Sequence, residues 1–278
     1  MGIKLLYITN KVEVAKIADS NGVDWVFVDL EIMGKEKRQG KMDTVISRHS
    51  IQDVGKIKQV LTHSQLLVRV NPIYSDSKNE IDKVVEGGAD IIMLPFFTTK
   101  DEVTQFISYV NGRAKVCLLL ETPEAVQKID SILEVAGIDY AYIGLNDLHL
   151  GYKMKFMFEP LANGTVEMLC NKIKQKGIPY GFGGIARVNS GVLPAEYILA
   201  EHIRLGSSLV ILSRTFCNTD TTDNLEEIGR IFSSGVQGLR ACEIELKGKL
   251  DSFFKNNQAN VQRIVADIVK AKSENGII

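Results

Sequence analysis

The sequence lacks several features that would mark particular classes of protein. No apolar run approaches the roughly 18 to 20 residues that a membrane helix needs, and residues 1–4 lead into no signal-peptide core. The 33 basic residues are balanced by 34 acidic ones and form no long basic run, which disfavours nucleic acid as a partner. The four cysteines form no CxxC or Cys/His pair with zinc spacing. These absences predict a cytoplasmic protein with free thiols and no membrane or nucleic-acid partner.

What the sequence contains is a repeated alternation of short apolar runs and longer segments with helical periodicity, which is typical of parallel βα units. Because the apolar runs are continuous, we expect strands that are covered on both faces. The predicted strands are Lys4–Ile8, Trp25–Leu30, Leu66–Val70, Ile91–Pro95, Val116–Leu120, Tyr140–Leu145, Pro179–Phe182 and Leu209–Leu212. The predicted helices include Val12–Asp19, Ser50–Leu61, Asn79–Glu86, Lys100–Val110, Thr122–Ala136 and Gly164–Lys176.

Eight such units within 278 residues favour one closed (β/α)8 TIM barrel over an open doubly wound sheet. The phosphate-binding Gly-x-Gly-x-x-Gly of the open sheet is missing, since the first predicted turn reads Thr9-Asn10-Lys11. Residues 225–278 are charged and helical, with apolar side chains at spacings of three and four. We therefore expect a single domain in which this C-terminal helical extension closes the barrel and contacts a second subunit.

Two acidic side chains follow predicted strands, and the carboxyl ends of barrel strands line the active face. Glu121 follows the fifth strand and Asp147 follows the sixth. Neighbouring strands lie about 5 Å apart, so the two carboxylates can meet. Hard oxygen ligands suit Mg²⁺ or Mn²⁺, which predicts a divalent metal site. The residues alone leave open a structural alternative without metal, in which Glu121 caps the next helix and Asp147 forms an Asx-turn.

Arg69 ends the third predicted strand, where a guanidinium is costly unless it meets an anion. It could hold a substrate carboxylate, or it could pair inside the protein with Asp29 or Glu31 at the end of the second strand. The residues alone leave both possibilities open. In the first case, Asp29 and Glu31 would orient Arg69 or ordered water at the metal.

Further candidates lie near other strand ends. His149, after the sixth strand, and His49, at the start of a predicted helix, are candidate proton carriers. Arg187, after a Gly-Gly step, and Arg214, after the eighth strand, could recognise an anionic group on the substrate. The predicted substrate-binding residues are Arg69, Gly144, Asn146, Arg187 and Arg214.

Five segments carry a resemblance when they are taken together and in order. They are Gly22-Val23-Asp24-Trp25 running to Asp29-Leu30-Glu31, Val68-Arg69-Val70-Asn71, Gly88-Ala89-Asp90-Ile91-Ile92-Met93-Leu94-Pro95, Leu120-Glu121-Thr122-Pro123-Glu124-Ala125 and Ile143-Gly144-Leu145-Asn146-Asp147-Leu148. Over roughly residues 20–215 the chain resembles the HpcH/HpaI aldolase and citrate lyase β-subunit family, within the phosphoenolpyruvate/pyruvate barrel superfamily. The resemblance implies that Glu121 and Asp147 are the metal ligands and that Arg69 contacts the enolate or carboxylate of a pyruvate-like unit. It also implies a homo-oligomer, with C-terminal helices packed on neighbouring barrels.

Two positions depart from the family pattern. Ile32 stands where the aldolase branch has a proton-transferring histidine and where the citrate lyase branch has an acidic residue. The carboxylate linked to that histidine corresponds here to Glu86, in Val85-Glu86-Gly87-Gly88-Ala89. We predict a divalent-metal-dependent carbon-carbon lyase of the aldolase type that acts on a 2-oxoacid through a pyruvate-like enolate. The alternatives are an acyl-CoA lyase or hydrolase, of the malyl-CoA or citryl-CoA kind, and a barrel that only binds a ligand.

Overall fold

Eight parallel strands form a closed barrel in chain order, β1 to β8. The structure is a computed structural model that describes residues 2–34 and 49–274. The strands are β1 (Lys4–Ile8), β2 (Trp25–Asp29), β3 (Gln65–Arg69), β4 (Ile91–Leu94), β5 (Lys115–Leu120), β6 (Tyr140–Ile143), β7 (Tyr180–Ile185) and β8 (Leu209–Leu212). The predicted fold class, a (β/α)8 TIM barrel with C-terminal helices, is confirmed.

Helices surround the barrel and connect its strands. Those in the described residues are α1 (Val12–Ser20), α2 (Ile51–Lys58), α3 (Ser77–Glu86), α4 (Lys100–Val110), α5 (Pro123–Gln127), α6 (Ile129–Ile132), α7 (Leu145–Gly151), α8 (Glu159–Ala162), α9 (Thr165–Gln175), α10 (Ala195–Leu205), α11 (Leu225–Lys247) and α12 (Asp251–Glu274). The single helix predicted over Thr122–Ala136 is two short helices, because the backbone leaves helical geometry at Lys128 (φ −103°, ψ 12°). None of these helices is long and apolar enough to cross a membrane.

The residues that line the barrel interior can be identified from the two-residue period of its strands. Trp25 and Phe27 of β2, Leu119 of β5 and Tyr142 of β6 belong to one buried cluster inside the barrel. Because side chains alternate between the two faces of a strand, the next inward position on each strand is two residues further along. On β2, β3, β5 and β6 this rule brings Asp29, Arg69, Glu121 and Gly144 to the carboxyl end of the barrel interior.

Strand β7 contains the Gly183-Gly184 step, whereas the predicted strand ended at Phe182. The pairing with β8 shifts register between Gly181 and Gly184, so the glycines form an irregularity within the strand. Gly183 adopts φ 61°, which favours glycine. The Tyr142 hydroxyl donates to the Gly183 carbonyl and accepts from the Ile211 amide at 2.9 Å, which ties β6, β7 and β8 together.

The C-terminal segment closes the ring of helices. Helix α11 packs against α1 and α10, and α12 packs against α10 and α8. Glu243 on α11 accepts a hydrogen bond of 2.9 Å from the Ile3 amide, while Arg240 bonds the Ile3 carbonyl and pairs with Asp24 at 2.8 Å. The first strand is thus fastened to a helix almost at the other end of the chain. The last residues of the predicted 225–278 segment, 275–278, lie outside the described residues.

Candidate active site

A buried ion pair occupies the carboxyl end of β2 and β3. Asp29 and Arg69 are register partners on these strands, and both point into the barrel. Arg69 Nε and Nη2 each donate to a different oxygen of the Asp29 carboxylate at 2.8 Å, and Nη1 lies 3.3 Å from Glu31 Oε2. The Arg69 side chain is 12% exposed and the two carboxylates are 1% exposed. The internal ion pair that the sequence left open is therefore present.

This pairing fixes both the charge and the orientation of Arg69. Burial by itself would lower the pKa of the guanidinium, but the carboxylates of Asp29, Glu31 and Glu121 outweigh it and raise the pKa above its usual value. A forked pair on one edge of the guanidinium holds its plane rigidly. Arg69 consequently offers preorganised donors at the barrel mouth, and Glu121 is close enough to act on its charge.

Glu121 is held by the backbone at the end of β4. It is buried at the end of β5, and Phe96 donates its amide to Glu121 Oε1 at 3.1 Å. Phe96 adopts φ 51°, in the left-handed region that a bulky residue rarely enters. Backbone strain of this kind persists only where surrounding structure enforces it, and it clusters at functional sites.

The helix-capping alternative for Glu121 does not describe the structure. Thr122 caps α5, since its side chain accepts from the Ala125 amide at 3.1 Å and donates to the Phe97 carbonyl at 2.8 Å. Asp147 lies inside the first turn of α7. The sequence extended the sixth strand to Leu145, whereas β6 ends at Ile143.

Gly144 separates β6 from α7 and lies directly against Glu121. A Cβ atom at position 144 would come within 2.7 Å of Glu121 Oε2, 2.9 Å of Glu121 Cβ and 3.1 Å of Leu119 Cδ1. The missing side chain therefore makes room for the carboxylate in its present place. Asn146 and Asp147 lie in the first turn of α7, just after Gly144. Asn146 is half-buried and Asp147 is buried.

His49 contacts the site directly. The Asp29 amide donates to His49 Nδ1 at 2.9 Å. A backbone N–H can only donate, so Nδ1 is the acceptor, and in the neutral ring the proton must sit on Nε2. The structure thus brings His49 to the end of β2 and selects one tautomer of its ring.

His149 faces a different environment. Its Nδ1 lies 3.2 Å from the Leu145 carbonyl in its own helix, and the ring is buried. Burial lowers the pKa of His149, with smaller effects from backbone contacts and from Glu159 and Lys272, on α8 and α12. The charges that act on His149 therefore belong to the outer helices, while those that act on Arg69 belong to the mouth.

Three other candidate residues are not brought into the buried cluster. Glu86 is exposed at the last position of α3, next to the amino end of β4, so within one chain it lies at the opposite end of the barrel from Arg69. Arg187 is exposed, and its stem lies against Gly235 of α11. Arg214 is exposed after β8. Ile32, at the departure from the family pattern, is 57% exposed.

Sequence reasoning missed a second polar group beside the mouth, Asn71 and Glu80. Asn71 Oδ1 accepts from the Ile32 and Met33 amides at 3.0 Å, and its Nδ2 donates to Glu80 Oε1 at 2.8 Å. Asn71 stood within the matched Val68-Arg69-Val70-Asn71 segment, which was a usable signal. Glu80 lies on α3 and had no comparable signal.

The residues that could hold a metal are the pair Glu121 and Asp147. Within residues 2–34 and 49–274, no group of three or more histidine, cysteine, aspartate or glutamate side chains has the arrangement of a metal site. Two carboxylates with open coordination positions match the way Mg²⁺ is usually held, by one or two carboxylates together with water and substrate oxygens. Gly144 leaves room for the Glu121 carboxylate in its present place, next to the helix that carries Asp147.

Comparisons with known proteins agree with this architecture. The family model for HpcH/HpaI aldolase/citrate lyase matches residues 5–178. A 2-keto-3-deoxy-L-rhamnonate aldolase of Escherichia coli O17:K52:H18 is 26% identical over 204 residues, which cover 62% of this chain and 70% of the relative. The protein of the same name from Shigella boydii serotype 4 is 24% identical over 204 residues, with the same coverage of both chains.

Two solved structures share the fold at 15% sequence identity. The HpcH/HpaI aldolase from Desulfitobacterium hafniense DCB-2 superposes with a TM-score of 0.61 over 82% of this chain and 93% of its own. An HpcH/HpaI aldolase/citrate lyase family protein from Burkholderia cenocepacia J2315 gives 0.60 over 82% and 94%. The family match spans more than half of the sequence and the related sequences are aldolases. This chain is therefore an enzyme of the aldolase and lyase type and belongs to the HpcH/HpaI aldolase/citrate lyase family.

Proposed function

We propose that this enzyme is a divalent-metal-dependent aldolase that cleaves or forms a carbon-carbon bond next to a pyruvate-like enolate. The observation that carries the proposal is the Arg69 guanidinium, buried at the barrel mouth among Asp29, Glu31 and Glu121. A fixed cation in a largely desolvated position suits an anion that develops during reaction, because its donors need no reorganisation. The carboxylate or enolate oxygen of a 2-oxoacid is such an anion.

Glu121 and Asp147 are the proposed ligands of the metal, with Mg²⁺ or Mn²⁺ as the expected ions. When bound, a divalent ion supplies a Lewis acid for the keto oxygen of the 2-oxoacid. The Phe96 amide keeps Glu121 in place, and Gly144 leaves room for its carboxylate. Asn146, in the turn that carries Asp147, is a proposed substrate contact.

Arg69 stabilises the enolate by donating hydrogen bonds to its oxygens. Its fork with Asp29 sets the direction of the remaining N–H groups, and Glu31 holds the other end of the guanidinium. One preorganised donor of this kind typically contributes about 3 to 4 kcal/mol to the transition state. Arg187 and Arg214, both exposed, remain proposed contacts for an anionic group further from the reacting carbon.

Proton transfer needs a group other than residue 32, because isoleucine cannot carry a proton. His49 is supported better than His149, since His49 contacts the backbone of Asp29, while His149 interacts with the outer helices. In the tautomer that the Asp29 amide selects, His49 presents an N–H on Nε2 and can donate a hydrogen bond to a substrate oxygen. It can take up and pass on a proton only when Nδ1 releases the Asp29 amide. Glu86 has no part in this step within a single chain.

The relatives named for 2-keto-3-deoxy-L-rhamnonate support a substrate class, the 2-keto-3-deoxy sugar acids. They favour the aldol reaction over acyl-CoA chemistry. A cytoplasmic location and a homo-oligomeric state, with residues 225–278 at the subunit contact, complete the proposal.

Exchange of the pyruvate methyl protons with deuterated solvent, followed by NMR, tests enolate formation without an acceptor. We expect exchange that needs Mg²⁺ or Mn²⁺ and that is lost in Glu121→Gln and Asp147→Asn. Glu124→Gln is the matched control, because Glu124 lies three residues beyond Glu121 with an exposed side chain. Metal-independent exchange, or equal exchange in all three variants, would contradict the proposed metal site.

A further inference from the structure

Three glycines lie on strand β7, and packing or backbone conformation explains two of them. A Cβ at Gly181 would lie 2.1 Å from the Leu209 carbonyl oxygen, and Gly183 has a φ of 61°. Gly184 has neither reason, because its φ lies outside the left-handed region and an added Cβ would be 3.5 Å from its nearest neighbour, Ser213 Cβ. Glycine weakens a strand and often marks a place where a ligand approaches the backbone. The fold would thus accept a side chain at Gly184 that the sequence does not supply.

Gly184 and Ser213 lie side by side on the inner face of the barrel. Gly184 pairs in register with Ile211, whose side chain packs on the buried cluster inside the barrel. Ser213 is two residues beyond Ile211, so it lies on the same face and one step nearer the mouth. The distance of 3.5 Å from Ser213 Cβ to a Cβ added at Gly184 agrees with this direction. Since β7 is four strands from β3 in the closed barrel, both residues lie across the mouth from Arg69.

The backbone at Gly184 is fixed by Tyr142 of β6. The buried Tyr142 hydroxyl donates to the Gly183 carbonyl and accepts from the Ile211 amide at 2.9 Å, at the register shift between β7 and β8. Without the shift, the two-residue period from Gly181 would turn Gly183 inward. The irregularity therefore brings Gly184 to the inward position, and bulges of this kind are common next to active sites.

Ser213 is rigid, but its hydroxyl is not engaged. Its amide donates to the Ile185 carbonyl at 2.8 Å, and its carbonyl accepts from the Phe216 amide at 2.9 Å. Ser213 is half-buried, and its hydroxyl, which forms no hydrogen bond within residues 2–34 and 49–274, remains in contact with solvent. A serine hydroxyl can donate and accept at once, which matches a hydroxyl group of a ligand.

The opposite side of the mouth is already occupied by protein. The ion pair of Arg69 with two carboxylates fills the ends of β2 and β3, and the Phe96 amide at the end of β4 contacts Glu121. A substrate held by Arg69 and Glu121 can extend past β6 toward β7 and β8, where Gly184 leaves room beside its backbone.

We propose that the part of the substrate beyond the reacting carbon-carbon bond lies over Gly184, and that one of its hydroxyl groups hydrogen-bonds the Ser213 hydroxyl. The inference rests on the proposed function, because it assigns the acceptor side of the same site. In the aldol direction this part enters as the aldehyde, and its chain continues toward Arg187 and Arg214, which follow the same two strands. Ser213 is then a specificity-determining residue for a hydroxylated acceptor.

Ser213→Ala tests the hydroxyl contact in the aldol addition of pyruvate to two aldehydes of equal chain length. With glyceraldehyde, kcat/KM should fall about 3- to 10-fold, the usual effect of losing one neutral hydrogen bond. With propanal, which lacks the hydroxyls, kcat/KM should stay the same, as should pyruvate proton exchange. Ser208→Ala is the matched control, because Ser208 is half-buried at the other end of the same strand. An equal fall with both aldehydes, or no fall with glyceraldehyde, would overturn the contact.

Gly184→Ala and Gly184→Val test the room beside the backbone. The alanine methyl makes only ordinary contacts, so this variant should fold like the wild type. We expect kcat/KM with glyceraldehyde to fall as the side chain grows, by roughly 100-fold with valine, because the acceptor is pushed out of line by about 1 Å. Pyruvate proton exchange should stay within about threefold of the wild-type rate. Unchanged addition in both variants, or an equal loss of exchange and addition, would contradict the assignment.

Calorimetric binding separates this inference from the proposed reaction. If the wild-type enzyme exchanges no pyruvate protons with Mg²⁺ or Mn²⁺, the proposed function is wrong. Weaker binding of a 2-keto-3-deoxy sugar acid to Ser213→Ala than to Ser208→Ala would still support a hydroxylated chain at β7 and β8. Equal binding to these two variants, or no binding to the wild type, would refute it.

Discussion

Gly144→Ala tests whether the enzyme needs the Glu121 carboxylate in its present position. Gly144 has φ −82° and ψ 91°, which an alanine adopts without backbone strain, so the added methyl acts only through its contacts. It would lie 2.7 Å from Glu121 Oε2, and ordinary contact begins at 3.4 Å. The oxygen must therefore move by about 0.7 Å, which exceeds the tolerance of about 0.5 Å for a working catalytic group.

The expected result is a large loss of rate with a small loss of stability. A misplacement near 1 Å costs roughly 100-fold in rate, and overpacking of this size costs about 1 to 3 kcal/mol of unfolding free energy. We expect pyruvate proton exchange at saturating Mn²⁺ to fall about 100-fold, while urea unfolding shows a folded protein. Calorimetric titration should show weaker Mn²⁺ binding.

Gly229→Ala is the matched control for this change. Gly229 lies in α11, where an added Cβ would meet nothing within 4 Å. The substitution should raise the unfolding free energy by about 0.5 to 1 kcal/mol and leave exchange unaltered. If Gly144→Ala retains exchange within about threefold of the wild-type rate, the present position of Glu121 is not needed for enolate formation, and the reasoning is refuted.

Three further expectations concern other parts of the molecule. Arg69→Lys loses the fork with Asp29 and should slow pyruvate exchange by about two to three orders of magnitude; an unchanged rate would exclude Arg69 as the enolate donor. Burial lowers the pKa of His202 in the folded protein to about 3, whereas the ordinary value is 6.5. The stability that the neutral ring contributes is therefore fully present above pH 6.5 and is lost progressively as the pH falls toward 3. His202→Phe should therefore reduce the stability lost between pH 7.5 and 5 by about 2 kcal/mol in urea unfolding, and identical pH dependence would contradict this. Leu250→Glu, at a side chain 77% exposed between α11 and α12, should lower the particle mass by light scattering if this segment forms the subunit contact; an unchanged mass would place the contact elsewhere.

Strand positions were predictable because a barrel strand is buried on both faces and its apolar run is continuous. Lys4–Ile8 and Leu209–Leu212 agree with the structure at both ends. The sixth strand was extended two residues too far, since Leu145 continues the apolar run although the chain has already turned into α7 at Gly144. Apolar character identifies burial but does not distinguish a strand from the first turn of a helix.

The candidate site was predictable to the extent that the carboxyl ends of barrel strands line the active face. That rule brought Arg69 and Glu121 to one end of the barrel. It did not decide whether Arg69 pairs internally, because the register of β2 and β3, which sets Asp29 opposite Arg69, is a property of the folded sheet. The left-handed backbone of Phe96 could not be predicted either, because neither Pro95 nor Phe96 is a residue type that indicates a φ of 51°.

The position of Glu86 shows that a motif alone does not fix the surroundings of a residue within one chain. Glu80 and Glu86 lie on one helix, six residues apart, a rise of roughly 9 Å. The start of α3 borders the active face of the barrel and its end borders the opposite face. Glu80 and Glu86 therefore have different surroundings although both are glutamates on one helix. The sequence shows which residues of α3 are acidic, but how far each one lies along the barrel axis depends on the residue at which the helix begins.

The bonds between Ile3 and α11 constrain the order in which the barrel can be completed during synthesis. The first strand leaves the ribosome early, yet its amide partner Glu243 and its carbonyl partner Arg240 emerge only after all eight strands have been made. Pairing of β1 with β8 has the same requirement. Contacts across such sequence separations form slowly, because the long loop must close first. Until β8 has emerged, the nascent chain presents an open sheet with an unpaired edge at β1, and such an edge favours aggregation.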